Sequence, residues 1–568
     1  MSSSNTNLVP AGYGAPGAQS SNELRQGYAG RRPARIPILQ SDDLDPREYA
    51  RSTCFAAGYL TVKNAGWRNE RPVFDPSKCT GCLKCYMYCP DGAVFKTDND
   101  REACPANRTD TSVALDLDFC KGCGICARAC AAGAITMVPE GQARKEEAAK
   151  LAAEAAQESE EGKGGAPMKK FLSGDEAFAE GVRLARPQVI SAYPITPQTV
   201  VVERLSEMVE AGTLHAEYMH VESEHTALSA CIGAAATGAR TFTATSSQGL
   251  LYMAECLTYA AGGRFPIVMM NANRATALPW NIYGDQRDSL ALLDHGWIQA
   301  YADTNQEALD MALMAYAIAE DPAVMTPFMV NIDGFALTHT YEMVDIPDAE
   351  QADAFLPPYK TTNRFDFENP VNIGYSAGPE YNRYFKYYAH RDMEDAAEVV
   401  EKVEARFAEI MGRSYPGMVE AYQCDDADIV LVTLGSIAGL ARSTVDALRA
   451  QGVKAGMLRI RYVRPMPYKQ IAQALEGAKA IAVLEKDVSF GAEGTVFTNV
   501  NSALQQAGIL VPALNFVGGL GGDDISVAQM NGMYRCLAKL AVGEYSGPRV
   551  SFLGVDSPAD ELGKEGVA

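Results

Sequence analysis

The sequence has no excess of basic residues. Its 50 lysines and arginines are outnumbered by 71 aspartates and glutamates, which gives a formal net charge of −21 at pH 7. Binding to nucleic acid depends on a basic surface that neutralises phosphates, so this balance argues against DNA or RNA as a partner. The charge identifies no other partner by itself.

Long apolar runs are also lacking. The longest, such as ADIVLVTLGSIAGLA at residues 427–441, fall short of the roughly 20 residues that a membrane-spanning helix needs. The first twenty residues contain neither a basic start nor an apolar stretch, so we expect no secretion signal. The sequence therefore predicts a cytoplasmic protein without a membrane segment.

The length of the chain indicates how many domains it has, and its cysteines indicate the kind of chemistry. A chain of 568 residues is too long for one domain, and about 150 residues per domain suggests three or four. The apolar fraction of 47% is ordinary for a globular protein. Fourteen cysteines in a cytoplasmic protein indicate metal or redox chemistry rather than disulfides.

Composition changes divide the chain into segments. The first residues, up to about Arg31, are rich in Ser, Gly, Asn and Pro and are expected to be disordered. An Ala/Glu/Lys-rich stretch ending in Gly and Pro indicates a helical spacer with a flexible joint, although a helix packed on a domain surface is an alternative. At Met168 the sequence restarts like an independent protein, with Ser173 or Asp175 as a helix cap. The predicted segments are a tail and arm at 1–70, a cysteine-rich domain at 71–140, a linker at 141–167, an α/β domain at 168–347, a connecting segment at 348–424 and a second α/β domain at 425–568.

Strand and helix patterns alternate after Met168. QVISAYPIT, RTFTAT and PIVMMNAN are typical of strands, and the segments between them are typical of helices. This alternation predicts an α/β domain with a largely parallel sheet. The connecting segment is predicted to hold one long helix, from about Glu394 to Met411. A second α/β unit is predicted to begin at DADIVLVTLG, and the glycine-rich VGGLGGDD is interpreted as a turn.

Eight cysteines form two copies of one motif. CTGCLKCYMYCP and CKGCGICARAC share the spacing C-x2-C-x2-C-x3-C, in which three close thiolates bind one 4Fe–4S cluster and the distant fourth completes the other. The predicted ligand sets are Cys79, Cys82, Cys85 and Cys130 for one cluster, and Cys120, Cys123, Cys126 and Cys89 for the other. Zinc is the competing interpretation, but eight thiolates in this tandem pattern are hard to place as tetrahedral sites.

This block resembles bacterial-type two-cluster ferredoxins over about 70 residues. It departs from them at Ala131, where the family usually repeats a proline, which affects the turn more than the ligands. The remaining cysteines are expected to be small core or surface residues; they are Cys54, Cys104, Cys231, Cys256, Cys424 and Cys536.

Four further motifs occur in one order: YPITP, ESEHTALSACIGAAATGARTFTATSSQG, NANRATALPWNIYGDQRDSL and DHGW. Together they resemble the α subunit of pyruvate:ferredoxin oxidoreductase and its 2-oxoacid relatives, from about Met168 to Val542. The cysteine-rich block is similar to the δ subunit of the same complexes. The resemblance therefore implies a fusion of δ and α subunits, with a thiamine-diphosphate pyrimidine-binding domain and a transketolase C-terminal-like domain after the ferredoxin domain.

The resemblance implies roles for single residues. Glu224 is expected to bond to the pyrimidine N1′ of thiamine diphosphate, and Pro194 to lie at the cofactor. Thr196 and Arg274 match the family's substrate-binding positions, where a hydroxyl and a guanidinium fork hold the 2-oxoacid carboxylate. The alternative for Glu224 and its neighbour Glu222 is a surface carboxylate that caps a helix.

A loop over the site is also expected. The segment NIYGDQRD is predicted to form it, with Tyr283 and Asp285 as candidates for substrate selectivity. A bare surface loop is the alternative for these two residues.

The implied activity is CoA-dependent oxidative decarboxylation of a 2-oxoacid to an acyl-CoA and CO2, with electrons passing through the clusters to an external ferredoxin. The motif SSQG favours pyruvate; oxalate, phenylglyoxylate and branched-chain 2-oxoacids stay open. A non-catalytic electron-transfer subunit and a transketolase-like transferase without redox chemistry are the other function classes. The retained Thr196, Glu224 and Arg274 argue against the first, and the eight cysteines argue against the second.

The diphosphate half of the cofactor site is missing from the sequence. The family commonly holds Mg²⁺ and diphosphate with a G-D-G motif followed by Asn, and no G-D-G occurs anywhere in the chain. The resemblance therefore implies a β-like subunit that carries Mg²⁺ and shares thiamine diphosphate, and a γ-like subunit that helps to bind CoA. The expected assembly is a dimer of such heteromers.

Overall fold

The computed structural model contains two compact units, Met1–Gly164 and Gly165–Ala568. The residues that it describes are 70–90, 93–98, 106–107, 109, 111–115, 117, 120–140, 168–366, 368, 372–373 and 376–564. The predicted tail up to residue 69, the linker at 141–167, Cys54 and Cys104 lie outside them. The predicted domain boundaries within the second unit stay predictions.

In the N-terminal unit, the first and last described strands, Glu70–Phe74 and Ile135–Pro139, pair with each other. β1 runs antiparallel to β4, with Phe74 opposite Ile135, and β2 runs antiparallel to β3. Buried residues from both halves form its core: Cys85, Val94, Val113, Cys126 and Ile135. The described elements are β1 (Glu70–Phe74), α1 (Lys84–Tyr88), β2 (Val94–Asp98), β3 (Thr111–Leu115), α2 (Ile125–Ala129) and β4 (Ile135–Pro139).

The second unit is an α/β structure, as the alternating patterns predict. Its described strands are β5 (Met168–Ser173), β6 (Val189–Ala192), β7 (Glu217–His220), β8 (Thr241–Thr245), β9 (Val268–Asn273), β10 (Ile298–Tyr301), β11 (Phe328–Asp333), β12 (Tyr341–Ile346), β13 (Val419–Tyr422), β14 (Ile429–Thr433), β15 (Ala455–Ile460), β16 (Tyr462–Arg464), β17 (Ala480–Glu485), β18 (Ala513–Val517) and β19 (Val550–Phe552). Its described helices are α3 (Gly174–Ala185), α4 (Thr199–Glu210), α5 (Glu224–Ala235), α6 (Ser247–Tyr252), α7 (Ala254–Gly262), α8 (Arg287–Leu290), α9 (Asn305–Ala319), α10 (Ala349–Phe355), α11 (Pro379–Met411), α12 (Ala438–Ala450), α13 (Tyr468–Leu475), α14 (Thr495–Gln506), α15 (Val527–Ala541) and α16 (Pro558–Leu562).

A seven-stranded sheet organises the first half of this unit. Its order is β16-β10-β11-β9-β8-β6-β7, and every pair is parallel except β16 with β10. Side chains alternate between its faces, so Val268 and Met270 join one core while Met269 joins another. A parallel sheet buried on both faces places its ligand site at the carboxyl ends of the strands.

A six-stranded sheet organises the second half. Its order is β13-β15-β14-β17-β18-β19, with β13 antiparallel to β15 and the other pairs parallel. Val430 and Val432 pack into one core, and Ile429 and Leu431 into the other. β5 and β12 form a separate antiparallel pair.

Buried ion pairs lie between the two larger sheets. Glu307 on α9 accepts from Arg461 Nε at 2.7 Å and also pairs with Arg459, while Arg461 Nη1 donates to Glu404 at 2.6 Å. All four side chains are nearly or fully buried. Removing one partner would leave an uncompensated buried charge, which costs about 3–5 kcal/mol.

Two predicted helices differ from those observed. The helix predicted from Glu394 begins fifteen residues earlier, at Pro379, because Pro379 occupies the first helical turn after Gly378. No residue of the helix before Ala396 is buried. Tyr381, Tyr384, Phe385 and Tyr388 nevertheless recur at helical spacing on its exposed surface, and this aromatic stripe was the available signal for the earlier start. The segment GLLYMAECLTYAAGG forms two helices, α6 and α7, separated at Met253.

Ser173 caps α3, as predicted: its hydroxyl accepts from Glu176 N, and the Glu176 carboxylate accepts from Ser173 N.

Within the part of the chain that the structure describes, no helix is both long enough and apolar enough to cross a bilayer.

Candidate functional site

The two cysteine motifs adopt matching turns. Gly81 and Gly122 occupy equivalent positions at φ +72° and +71°, and Leu83 and Gly124 follow at +58° and +72°. Each left-handed turn leads into a five-residue helix that buries its third cysteine, Cys85 on α1 and Cys126 on α2. A Cβ at Gly81 would lie 2.2 Å from Asn107 Oδ1, so a side chain has no room there.

The eight cysteines line two separate pockets. One pocket is lined by Cys79, Cys82, Cys85 and Cys130. The other is lined by Cys89, Cys120, Cys123 and Cys126. Each pocket thus combines three cysteines of one motif with the last cysteine of the other, which is the crossed arrangement expected from the spacing.

The thiols within each pocket influence one another. Burial, together with smaller contributions from the neighbouring Cys130, Cys82 and Cys79, raises the pKa of Cys85 to about 11. Burial does the same to Cys126, with contributions from Cys120, Cys89 and Cys123. Four thiolates in so small a space need positive charge to stay together, and the iron of a cluster would supply it.

Backbone amides also point at sulfur. Ala134 N donates to Cys130 Sγ at 3.2 Å, and Gly122 N donates to Cys120 Sγ at 3.4 Å. No group of three or more His, Cys, Asp or Glu side chains in the described ranges converges closely enough for a single metal ion.

The second candidate site lies at the carboxyl edge of the seven-stranded sheet. Thr196 is in the connection after β6, Glu224 begins α5 after β7, and Arg274 directly follows β9. Arg274 Nη1 donates to Thr196 O at 2.6 Å, so the structure brings these two predicted residues into contact. Pro194, in the same connection as Thr196, is exposed.

Glu224 is buried at the first turn of α5, with 9% of its surface exposed. The helix is capped by Ser223, whose hydroxyl accepts from Thr226 N at 3.2 Å. Glu224 packs against Gly249, where a Cβ would lie 2.7 Å from Glu224 Oε1. Glu222 is exposed and accepts from Thr226 Oγ1 at 2.5 Å. The alternative of a surface carboxylate therefore describes Glu222 and not Glu224.

Arg274 is buried but incompletely paired. Only 5% of its surface is exposed, and its Nε has no hydrogen-bond partner among the described residues. Burial lowers the pKa of Arg274, whereas Asp288 and Glu224 raise it. The guanidinium also lies 5.9 Å from the centre of the exposed Trp280 ring. A buried cation with an unused donor is suited to binding an anionic ligand group.

The two predicted selectivity residues occupy different environments. Tyr283 is half exposed, and its ring centre lies 4.8 Å from that of Phe335. Asp285 is only 2% exposed, and burial together with Asp288 raises its pKa to about 7. Tyr283 is thus available to a ligand, while the carboxyl of Asp285 is turned into the protein.

Asp288 is a residue of the site that the sequence patterns do not single out. It is fully buried and links β9 to the turn after β8, because its carboxylate accepts from five donors. They are Ser247 N, Asn271 Nδ2, Asn273 Nδ2, Arg274 N and Ser289 N. Asp288 is the last residue of the predicted loop segment NIYGDQRD, which was the available signal, but a carboxylate beside an arginine is common on surfaces.

Comparison with known proteins shows close relatives. Pyruvate synthase subunit PorA of Methanothermobacter thermautotrophicus is 44% identical over 366 residues, which are 64% of this chain and 94% of that protein. Ketoisovalerate oxidoreductase subunit VorA of Pyrococcus abyssi is 45% identical over 66% of this chain and 94% of its own length. PorA of Methanocaldococcus jannaschii is 47% identical over 63% and 92%, respectively.

The chain belongs to the pyruvate:ferredoxin oxidoreductase family. Three family models agree: the thiamine-diphosphate-binding model of pyruvate flavodoxin/ferredoxin oxidoreductase at residues 180–405, pyruvate:ferredoxin oxidoreductase core domain II at 427–530, and a 4Fe-4S binding domain at 72–95. The predicted fold class is thereby confirmed. So is the predicted enzyme class, a thiamine-diphosphate-dependent 2-oxoacid:ferredoxin oxidoreductase subunit that binds iron–sulfur clusters.

Among solved structures, the chain is similar to a 2-oxoglutarate:ferredoxin oxidoreductase from Magnetococcus marinus. The TM-score is 0.49 at 19% identity, covering 66% of this chain and 67% of that one. The relatives that share more sequence are named as subunits.

Proposed function

We propose that this chain is the part of a pyruvate-oxidising complex that binds the pyrimidine end of thiamine diphosphate, the 2-oxoacid carboxylate and two 4Fe–4S clusters. The reaction is CoA-dependent oxidative decarboxylation to an acyl-CoA and CO2, with electrons leaving through the clusters to an external ferredoxin. The observation that carries the proposal is the meeting of Thr196 and Arg274 at the sheet edge where the buried Glu224 also lies.

The residues at this edge suit the cofactor and the substrate. Thiamine diphosphate, when bound, supplies the nucleophilic carbon and the electron sink that decarboxylation of a 2-oxoacid needs. Glu224, held at a helix start and excluded from water, would hold a proton at the pyrimidine N1′. The guanidinium of Arg274, which is held beside Thr196 by the bond from Nη1 to Thr196 O, would donate to the substrate carboxylate together with the Thr196 hydroxyl.

The cysteine pockets suit two clusters. The ligand sets are Cys79, Cys82, Cys85 and Cys130 for one, and Cys120, Cys123, Cys126 and Cys89 for the other. Support comes from the two four-cysteine pockets and from a family-model match to the first motif, whereas the second motif lies beyond the matched residues 72–95. Eight thiols must stay reduced to bind iron, so we place the chain in the cytoplasm.

The partner subunits follow from what the chain lacks. A β-like subunit would supply Mg²⁺ and the diphosphate site, because no G-D-G motif occurs in the sequence. A γ-like subunit would help to bind CoA, and two such heteromers would form the complex. The naming of the relatives as subunits supports a multi-chain enzyme.

A branched-chain 2-oxoacid is the second candidate substrate. The VorA relative, named for ketoisovalerate, is 45% identical, against 44% and 47% for the two pyruvate synthase subunits. Sequence identity to these relatives therefore does not distinguish pyruvate from a branched-chain 2-oxoacid as the substrate. The motif SSQG is the remaining argument for pyruvate.

The test is to purify the native complex anaerobically and assay pyruvate, 2-oxoisovalerate, 2-oxoglutarate, oxalate and phenylglyoxylate with CoA and a viologen dye. Pyruvate should give the highest kcat/KM, and omission of CoA should abolish acyl-CoA formation. A higher kcat/KM for 2-oxoisovalerate would replace pyruvate with the branched-chain substrate, and no turnover of any 2-oxoacid would overturn the proposal.

A further inference from the structure

A glycine-rich turn from the second half of the chain lies against the loop that holds Tyr283 and Asp285. We call residues 281–286 the substrate loop and residues 518–524, which follow β18, the glycine turn. The substrate loop follows β9 of the seven-stranded sheet, and the glycine turn extends from the six-stranded sheet. More than 230 residues separate the two segments in sequence, and hydrogen bonds join them in the fold.

Hydrogen bonds join the substrate loop to the second half of the chain at its beginning, middle and end. Asn281 Nδ2 donates to Gly521 O at 2.9 Å, and Gly522 N donates to Gly284 O at 2.7 Å. Gln286 N donates to Lys486 O at 2.7 Å, just after β17. The loop is therefore anchored along its length by backbone groups of the six-stranded sheet.

The close approach requires glycine. Gly521 and Gly522 have φ values of +60° and +80°, which side chains rarely adopt. A Cβ at Gly522 would lie 2.4 Å from Tyr283 Cβ, and one at Gly521 would lie 2.5 Å from Asn281 Nδ2. A side chain at Gly522 would therefore push the substrate loop away.

Asp285 belongs to the same contact. Its buried carboxylate accepts from Arg287 N at 3.2 Å and from the backbone of Gly521. The side chain thus faces the glycine turn, so Asp285 acts on the position of the loop. Asp285 is therefore a positioning residue, because its contacts are with the backbone of Arg287 and of the glycine turn.

The other side of the loop faces the candidate active site. Ala275 N, one residue after Arg274, donates to Tyr283 O at 3.0 Å. A Cβ at Gly284 would meet Gly334 O at 2.7 Å and Asn273 O at 3.3 Å. The loop is held between the strand that presents Arg274 and the glycine turn, so a displacement of the turn is transmitted to Tyr283.

We propose that the glycine turn is a specificity-determining element: it sets the position of the substrate loop, and thereby of Tyr283, over the site that binds the 2-oxoacid. Gly522, Gly521, Asn281 and Asp285 are its positioning residues. The inference rests on the proposed function for the identity of the ligand, but the contact between turn and loop stands apart from it.

The experiment compares Gly522→Ala with Gly508→Ala in the assembled complex. Gly508 has φ +72° and an added Cβ would meet nothing within 4 Å. It precedes β18, whereas Gly522 follows it, so the control introduces similar backbone strain at the opposite end of the same strand. The measurements are amide hydrogen exchange of residues 281–286, and KM, kcat and kcat/KM for pyruvate and 2-oxoisovalerate.

Gly522→Ala should speed exchange in residues 281–286 and change the ratio of the two kcat/KM values by about 10-fold or more, because selection by one or two methylenes depends on pocket shape. KM should change more than kcat. Gly508→Ala should leave loop exchange and the substrate ratio at wild-type values. If Gly522→Ala alters the ratio or the loop exchange no more than Gly508→Ala does, the proposal is wrong.

A milder variant covers the case in which Gly522→Ala prevents assembly. Asn281→Ser removes the bond to Gly521 O without adding bulk, and Asn531→Ser removes a comparable helix-surface bond to Val527 O as its control. Asn281→Ser should shift the ratio in the same direction by a smaller factor, and no shift beyond the control would overturn the proposal. If the wild-type complex turns over no 2-oxoacid, the proposed function is wrong. Amide hydrogen exchange of residues 281–286 in Gly522→Ala and Gly508→Ala would then test by itself whether the glycine turn positions the substrate loop.

Discussion

Glu222 and Glu224 are two positions apart and occupy different environments. Glu222 is exposed, and its hydrogen bond from Thr226 lowers its pKa. Glu224 is buried against Gly249 at the edge where Arg274 lies. At the scale of a residue, burial and not residue type separates a surface carboxylate from a candidate proton carrier.

Glu224→Gln should lower turnover of the best 2-oxoacid by about 10²-fold or more, the scale of a lost acid–base group, because an amide cannot share a proton with N1′ in the same way. Iron content should be unchanged. Glu222→Gln, the matched control, should keep near-wild-type turnover. Near-normal kcat in Glu224→Gln would show that another carboxylate performs this role.

At the scale of an element, each short helix of the N-terminal unit serves a pocket shared with the other motif. Cys130 follows α2 but lines the pocket of Cys79, Cys82 and Cys85. Because each pocket contains one cysteine from the other motif, loss of the last cysteine of one motif should affect the cluster bound by the first three cysteines of the other.

Cys130→Ser and Cys85→Ser should therefore remove the same cluster. Wild-type protein should contain about eight irons per chain, and each variant about four, by the ligand count. Iron and acid-labile sulfide per chain, measured in anaerobically purified protein, test this. Cys536→Ser, in α15, should retain all iron. Zinc without labile sulfide in the wild type would contradict the cluster assignment.

Helix α14 illustrates an element that depends on pH. Glu485, at the end of β17, accepts from Val496 N at 2.9 Å and Phe497 N at 3.3 Å at the start of the helix. Burial raises the pKa of Glu485 to about 7, although these bonds and Asn515 lower it. Because the folded-state pKa lies above the ordinary 4.5, the stability that Glu485 contributes is fully present below about pH 4.5 and is lost as pH rises through 7.

From pH 5 to pH 8, the wild type should lose up to about 3 kcal/mol of unfolding free energy relative to Glu485→Gln, since each pKa unit is worth about 1.36 kcal/mol. Urea midpoints at both pH values measure the difference. Glu493→Gln, at a half-buried neighbour paired with Arg549, should follow the wild-type pH dependence. Parallel pH profiles for wild type and Glu485→Gln would show that Glu485 does not titrate in this range.

Some of this architecture follows from sequence and some does not. The crossed cysteine sets follow from a local spacing, and the meeting of Thr196 with Arg274 follows from the rule that parallel strands present their carboxyl ends at one edge. The contact of Asn281 with Gly521 joins distant segments through backbone groups, which leave no pattern in side-chain type. The early start of α11 did leave a pattern, since Tyr381, Tyr384, Phe385 and Tyr388 recur at helical spacing, but this aromatic stripe is exposed and packs into no core in the described part of the chain.

At the scale of the whole molecule, the proposed function gives the chain one end of a two-ended cofactor site. Glu224 and Arg274 suit the pyrimidine and the substrate, but no G-D-G motif is present to hold Mg²⁺ and diphosphate. The enzyme should therefore assemble its active site between chains.

The chain alone should bind thiamine diphosphate and Mg²⁺ weakly, and 2-oxoacid turnover should appear only on addition of a β-like subunit. Isothermal titration of the lone chain, followed by titration of the reconstituted complex, measures both. Chain carrying Glu224→Gln should still assemble with the partner, which separates assembly from chemistry. Tight, metal-dependent binding by the lone chain would refute the split site.

The antiparallel strand β16 has a consequence for synthesis on the ribosome. It completes the seven-stranded sheet by pairing with β10, so the edge of β10 stays uncovered until the chain has grown from Tyr301 to Tyr462. At about 5–20 residues per second, this stretch of about 160 residues takes on the order of ten to thirty seconds. During that interval the nascent chain presents an unpaired, apolar strand edge, the kind of surface that chaperones shield and that aggregates when translation stalls.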